Sequence, residues 1–469
     1  MSLSAVLEHA VRNSQGLATA RIDVAVADAT VMEQVGLEDI LFNATGAYNR
    51  DVAQSDFAVA RNGGIDDSKA LQGSLSLTKL FFTGATVSVK AETDRAKLLG
   101  RDLETGTPFS ATEYSSAVTG SITQPILRGG WETVTRAPRT RAQLAAEQAR
   151  LQREVAGRTV VRDLVEAYWE VAYAWSELDI RRSSLDLARE RRRLTDASVR
   201  GGATAPTELL AVDQVIAQRE EDVVVAELSV TQRSLELRRL AGLEIEPGQI
   251  DIKADAPLDA QVRPIEIKGV MTQALARSPE IAALESQGRG AALEIEVTNN
   301  GLLPRLDLSV NGTLSGAADN FSDSVSNAAN ADAYTFGGQL VLEHWIGRHA
   351  ARGQSRRAEA ERERVMINMA DMRRQIAQAA AQAVALANSA QNRMRLSTTA
   401  IDLTDKNIKA ETGRFELGKS SNFDVLLRQE EHTQARLRFA RAAADYLRAT
   451  AVVEALTGEI LPRYGIKVE

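Results

Sequence analysis

Gly413-Arg-Phe-Glu-Leu-Gly418-Lys419-Ser420 carries, letter for letter, the spacing of a phosphate-binding loop. In that chemistry the backbone N–H groups of a Gly-rich loop cradle the phosphates, the lysine reaches the terminal one and the hydroxyl holds Mg²⁺. The loop must follow a strand and open a helix. Here Ile401 to Thr412 reads as an amphipathic helix, and the matching turn earlier in the chain has Ala203 where Lys419 stands. The segment therefore reads as a turn between two helices, with Gly418 near a C-cap and Ser420 or Ser421 as an N-cap.

Other reactive residues are no better placed. His344 and His349 flank a strand-to-helix break with no third metal ligand nearby, and His9 and His432 stand alone. No Gly-x-Ser-x-Gly elbow or His-Glu-x-x-His occurs, and with no cysteine there is no thiol chemistry, disulfide framework or Cys-based zinc site. The carboxylates sit beside Arg and Lys at i,i+4 spacing, where solvated pairs are the default. The chain reads as a non-enzyme with no metal and no cofactor.

The elements around these residues carry the stronger signal. The 469 residues hold 44% hydrophobic but only 4% aromatic residues, and Ala, Leu, Arg, Glu and Gln fill long stretches, as in long helices and coiled coils. The net charge of −7 with mixed signs argues against a nucleic-acid partner, which needs a basic face. No run of 18 apolar residues predicts a transmembrane helix, and no signal peptide is visible.

The chain repeats itself. Residues 7–14 resemble 271–278 at an offset of 264, Gln124-Pro-Ile-Leu-Arg-Gly-Gly130 resembles Leu342 to Arg348 at 218, and Gly202 to Leu210 resembles Gly418 to Leu426 at 216. The first half thus carries 46 extra residues between its first two anchors. Each half predicts a helix, strands, a very long helix, a sharp turn and a second helix. The first helices are expected at about 4–35 and 266–299, the very long ones at 136–200 and 351–416, and the last at 205–241 and 421–457. Val161, Leu164, Val165, Tyr168, Val171, Ala172, Trp175 and Leu178 recur at helical spacing. Each long helix would measure about 100 Å, roughly matched by the two shorter helices of the first half laid end to end.

Between the helices the period falls to two. Leu306, Leu308, Val310 and Leu314 alternate with Asp307, Ser309, Asn311 and Thr313, and Tyr334, Phe336, Leu340 and Leu342 form a matching face. Leu75 and Leu77 alternate with Ser74, Ser76 and Thr78 in the first half. Strands of about ten residues, apolar on one side and polar on the other, suit either a transmembrane barrel or a half-buried soluble sheet. Trp131 and Trp345, at the strand-to-helix junctions, suit an aromatic belt at the membrane interface. Residues 316–333 read as an exposed loop. Four strands are expected in the first half, near 38–50, 70–82, 84–95 and 113–127, and two in the second, within 303–345. So few cannot close a useful barrel alone, which predicts a barrel shared among subunits.

The tandem halves, the Gln124–Gly130 junction and the Gly418…Asp424-Val-Leu426 turn resemble the TolC family of outer-membrane efflux proteins over essentially the whole chain. The resemblance implies a mostly α tandem-repeat fold: a long α-helical coiled-coil barrel with a transmembrane β-barrel shared in a homotrimer. Repeats would span 1–241 and 266–457, with hairpin tips near 201–207 and 417–423 and an equatorial belt from 242–265 and 458–469. It implies a passive exit duct of a tripartite efflux or type I secretion system in the outer membrane of a Gram-negative bacterium, extending into the periplasm. The partners would be outer-membrane lipid, a periplasmic adaptor protein and an inner-membrane pump.

Onto the tips the resemblance carries an entrance aspartate at Asp424 and tip positions at Thr207 and Glu208, with Gly202, Thr204, Gly418 and Lys419 as adaptor-docking residues. The family's gate tyrosine falls at Phe415, a gate arginine at Ser420 and a second entrance aspartate at Leu427, so this chain must hold its closed state differently. Asp424 also suits a helix start, where the macrodipole favours an acid. The competing reading is a non-conducting coiled-coil envelope scaffold or adhesin.

Overall fold

The computed structural model describes residues 1–52, 65–202, 205–245, 248, 250–255, 257, 258 and 262–467. Helices α1 (Leu3–Asn13) and α2 (Gln15–Val35) lead to strands β1 (Leu41–Val52), β2 (Ile65–Leu80), β3 (Thr86–Arg101) and β4 (Pro108–Pro125). A single turn, α3 (Glu132–Thr135), precedes the long α4 (Ala137–Arg200), and α5 (Thr207–Ala241) closes the first half. The second half runs α6 (Ile267–Ala276), α7 (Pro279–Asn300), β5 (Arg305–Ala318), α8 (Phe321–Ala329), β6 (Ala333–Glu343), the long α9 (His349–Glu416), α10 (Asn422–Thr457) and α11 (Ile460–Arg463). No helix among the described residues is long and apolar enough to cross a membrane.

The first helix of each half is two helices rather than one. The breaks fall at Ser14 and at Arg277-Ser278, which the 264-residue offset places opposite each other. In the second half Pro279 sets the break, because a proline cannot donate to the preceding turn but fits the first position of a new helix. The Ser278 hydroxyl accepts from the Ile281 N–H (3.1 Å) and caps it. The long helices hold 64 and 68 residues, about 100 Å each, and meet no proline after Pro138.

The chain divides into two compact units. One comprises 1–25, 147–285 and 367–469, the other 26–146 and 286–366. The first is helical. Val161, Leu164, Val165 and Tyr168 of α4 bury against Val6 and Leu7 of α1, Leu237 of α5 and Ile460 of α11. Each such side chain contributes about 1.5–3 kcal/mol on leaving water. Along α9 the alanines Ala380, Ala383, Ala387 and Ala390 are buried, two of them against Val270 and Ala274 of α6 and two against Ala442 and Ala443 of α10. Small side chains let these backbones approach closely.

The second unit is built on one antiparallel six-stranded sheet in the order β1 to β6. The β4–β5 pair joins the two halves of the chain, with Val118 opposite Leu314 and Thr119 opposite Thr313. β1 and β6 are its edges. Residues 316–333, expected as a loop, contain α8: the Asn320 side chain accepts from the Asp323 N–H (2.9 Å) and starts a helix. α8 lies directly on the sheet. A Cβ on Gly316 would sit 2.3 Å from the Ala328 nitrogen, so only glycine fits beneath it.

Candidate functional site

The two hairpin tips lie in the helical unit. Gly202 and Gly418 occupy equivalent positions and both adopt left-handed φ, +73° and +68°, which lets each long helix end and the chain reverse. The Gly418 N–H reaches the Phe415 carbonyl (2.9 Å) and the Lys419 N–H the Arg414 carbonyl (2.8 Å). Residues 413–416 are therefore the end of a helix, and the phosphate-loop spacing has neither the preceding strand nor the open loop it needs. Gly202, Gly418 and Lys419 are exposed. Thr204, with Ala203, lies outside the described residues.

The two tips then differ. Ser421 and Asp424 form a capping box: the Ser421 hydroxyl accepts from the Asp424 N–H (3.2 Å), and Asp424 Oδ2 accepts from the Ser421 N–H (3.1 Å). The Ser421 hydroxyl also donates to Oδ2 (2.7 Å). Hydrogen bonds from the Ser421 hydroxyl, from its N–H and from Ser420 hold the Asp424 carboxyl below the usual carboxylate range. Ser420 is shared with Glu411 of α9, to which its hydroxyl also donates. The first tip starts α5 at Pro206, which makes no side-chain cap. Thr207 is exposed and Glu208 half-buried, and among the described residues neither is drawn into such a network. Of the expected entrance residues, the structure brings Ser420 and Asp424 together.

Phe415 has turned inward to another task. The Arg191 guanidinium of α4 lies over its ring, 5.0 Å from the centroid. Arg191 is buried, and that burial pushes its pKa down while Glu416 opposes the shift. One turn on, the buried Asn422 donates to the Thr195 hydroxyl (2.9 Å), which donates to the Arg191 carbonyl (2.9 Å). Further along, the buried Arg219 of α5 donates to the Ser184 carbonyl of α4 (2.6 Å), and Thr433 of α10 donates to the Ser184 hydroxyl (3.3 Å). Glu170 of α4 gathers Arg441 (3.1 Å), Arg448 and Arg233 (3.8 Å). These polar ties between helices were missed in the sequence. Their one signal, Arg, Asn or Glu at an otherwise apolar helical position, resembles ordinary surface charge.

In the β-rich unit, cross-strand partners separate two chemistries. One face carries Phe42, Tyr48, Leu75, Leu77, Val89, Val118, Ile122, Leu308, Leu314, Tyr334, Phe336 and Leu340. Much of it is bare: Tyr334 is 76% exposed and Phe336 75%. The other face carries Ser74, Ser76, Ser88, Lys90, Glu92, Thr119, Asn311 and Thr313. Its hydroxyls meet across the strands, Thr119 with Thr313 and Thr123 with Ser309, each at 3.0 Å.

The junction motif fastens this sheet to its helices. Gln124 Nε2 donates to the Thr83 carbonyl (2.9 Å), and the Asn300 side chain accepts from the Gly129 N–H (2.8 Å) and donates to the Leu127 carbonyl (3.2 Å). Gly129 and its repeat counterpart Gly347 have φ of +82° and +95°. Trp131 also has positive φ (76°), and its indole N–H reaches the Ile126 carbonyl (3.1 Å). Trp131 and Trp345 project at these junctions, 60% and 67% exposed. No group of metal-ligating side chains occurs among the described residues.

The profile of the family described as "Outer membrane efflux protein" matches residues 83–243 and 270–459. The pyoverdine export outer membrane protein OpmQ of Pseudomonas aeruginosa is 25% identical over 214 residues, 46% of this chain and 42% of that protein. OpmQ of Pseudomonas putida is 25% identical over 231 residues, 49% of this chain and 47% of that protein. The chain thus spans about half the length of the curated relatives it matches. Among solved structures, the outer-membrane channel OprN matches with a TM-score of 0.70 at 16% identity, covering 97% of this chain and 90% of that one. The CmeC outer membrane channel of Campylobacter jejuni matches at 0.68 and 13% identity, covering 97% and 85%. These likenesses establish the fold.

Proposed function

The chain belongs to the outer membrane efflux protein family, and from this we propose that it is the passive outer-membrane duct of a tripartite efflux or type I secretion system. The two-faced sheet carries this reading. An apolar face with bare Tyr334 and Phe336 suits lipid, a hydroxyl-rich opposite face suits a water-filled lumen, and the unpaired edges β1 and β6 need partners. Three copies of six strands would close an eighteen-stranded barrel, a size at which porins keep an aqueous channel. Trp131 and Trp345 would anchor its periplasmic rim.

The long helices of a homotrimer would form the periplasmic tunnel, girdled by an equatorial belt from 242–265 and 458–469. An adaptor protein would dock at Gly202, Thr204, Gly418 and Lys419, and an inner-membrane pump would drive the cargo, so the chain needs no reaction of its own. Three Asp424 carboxylates would ring the entrance beside Thr207 and Glu208 and favour cations. Phe415 and Ser420 would hold the gate by stacking and by the Ser420 hydrogen bonds to Glu411 and Asp424 rather than by a tyrosine–arginine pair.

Single-channel conductance of the purified protein in a planar lipid bilayer tests this. Discrete steps from a trimer, with cation preference reduced in Asp424→Ala, are the expected result. Trimeric, inserted protein that stays silent even after both hairpin tips are trimmed would replace the duct with a scaffold.

A further inference from the structure

The apolar face of the sheet ends in a row of cations. Arg50 of β1 stands opposite Lys69 of β2, and Lys69 opposite Lys97 of β3. In the next row, Arg95 lies beside Leu71 and Tyr114, with its guanidinium over the Tyr114 ring (5.7 Å). One row further out, Asp67 of β2 binds Arg50 through two hydrogen bonds (3.0 and 2.9 Å) and approaches Lys69 (3.6 Å). Among the described residues, neither Arg95 nor Lys97 has an acidic partner. Like charges on directly opposed residues repel, so three adjacent cations beside one acid leave a site short of negative charge.

The placement of this row is specific. It lies at the strand ends away from the β4–α3 and α7–β5 junctions, on the largely apolar face. Directly below it, four residues along β1 or about 13 Å, the sheet becomes shallow: Gly46, Gly73, Ala44 and Ala91 offer almost no side chain. α8 walls this depression with Phe321 and Val325, held in place by Ser324, whose hydroxyl meets that of Ser116 (3.0 Å). The resulting groove encloses about 620 Å³, within the usual range of about 300–1,000 Å³ for a ligand site.

We propose that this surface binds a phosphorylated, multiply acylated lipid of the outer leaflet, of the lipid A class. Its phosphate would meet Lys69, Lys97 and Arg95, Tyr48 and Tyr114 would lie at the carbonyl level, and an acyl chain would fill the groove under α8. The inference rests on the reading that the apolar face meets outer-membrane lipid. The lipid would also hold α8 against the sheet and fill a recess that a smooth barrel would not leave.

Native mass spectrometry of the full chain in detergent tests this, with lipid A, its dephosphorylated form, phosphatidylglycerol and inorganic phosphate as probes. Wild type should retain lipid A at least ten-fold better than the other three. Lys69→Ala/Lys97→Ala and Gly46→Leu should each lower that retention at least ten-fold. A Cβ on Gly46 would meet no atom within 4 Å and the residue has an ordinary φ, so leucine fills the groove without straining the strand. Arg95→Gln gives a second headgroup variant.

Equal retention of lipid A and its dephosphorylated form, or retention unchanged in the variants, overturns the site. Trimer mass and unit conductance are recorded on the same samples. Trimeric, conducting protein indifferent to lipid A sinks this inference alone, whereas wild type that neither trimerises nor conducts sinks the duct reading and the lipid site with it.

Discussion

The Arg191 guanidinium of α4 lies 5.0 Å from the centre of the Phe415 ring of α9, which ties the end of one long helix to the end of the other. Because Arg191 is buried, this contact is desolvated, and such pairs contribute up to about 2 kcal/mol. It occupies the position where the resemblance expects a gate tyrosine.

Phe415→Leu keeps an apolar side chain but removes the π-face. The expected loss is about 1 kcal/mol of local stability, which is roughly five-fold faster amide exchange over residues 412–424. Phe415→Tyr should exchange as wild type. Unchanged exchange in Phe415→Leu would mean that the ring only fills space.

Asp424 serves both as a cap and as a charge, and two variants separate the roles. Ser421→Ala removes the capping hydroxyl, costs about 1 kcal/mol at the start of α10 and leaves cation preference in place. Asp424→Asn should reduce the preference. Equal selectivity in wild type and Asp424→Asn would move the entrance charge elsewhere.

The same carboxyl sets a pH response. Its folded pKa lies below its ordinary value because Ser421 and Ser420 donate to the charged form. A lowered folded pKa gives stability that is fully present above the unfolded value and is lost as pH falls through the folded one. Cation preference and tip protection should therefore persist down to about pH 4, near the ordinary aspartate value, and fade only below it. Fading between pH 7 and 5 would point to another titrating group.

The two faces of the sheet should respond oppositely to charge. Leu340→Arg on the apolar face should lower membrane assembly by about 2–4 kcal/mol if it sits near the midplane. Thr335→Lys, on the hydroxyl-rich face, should assemble normally and shift ion selectivity instead. Protease protection and heat-modifiable gel migration read assembly. Equal tolerance at both positions would contradict a lipid-facing side.

Edge pairing should show in cross-links. A cysteine at Phe336 on β6, combined singly with cysteines along 41–52 on β1, should give covalent dimers and trimers at one register. Cross-links confined within single chains would mean that the sheet closes another way.

The repeat, the long helices and the alternating strands are legible in the chain itself. They follow from local rules: a 3.6-residue period without proline along α4 and α9, a period of two along β5 and β6, and glycines at Gly202 and Gly418 where a left-handed turn is needed. Asp424 was likewise legible at a helix start, since a Ser-x-x-Asp cap acts over three residues.

Everything else required the packed molecule, for reasons of distance. The break at Ser14 carries no proline, so although the repeat aligns it with Ser278, the split of the first helix appears only in the structure. Along 316–333 polar composition outweighs the Asn320 cap and suggests a loop; the seat of α8 on Gly316 depends on a strand neighbour that composition does not reveal. Arg191 and Phe415 stand 224 residues apart and Asn422 and Thr195 are separated by 227, so their contacts exist only once α4, α9 and α10 pack side by side. The cation row of Arg50, Lys69 and Lys97 comes from strand register, which aligns three residues that look like unrelated surface charges along the chain.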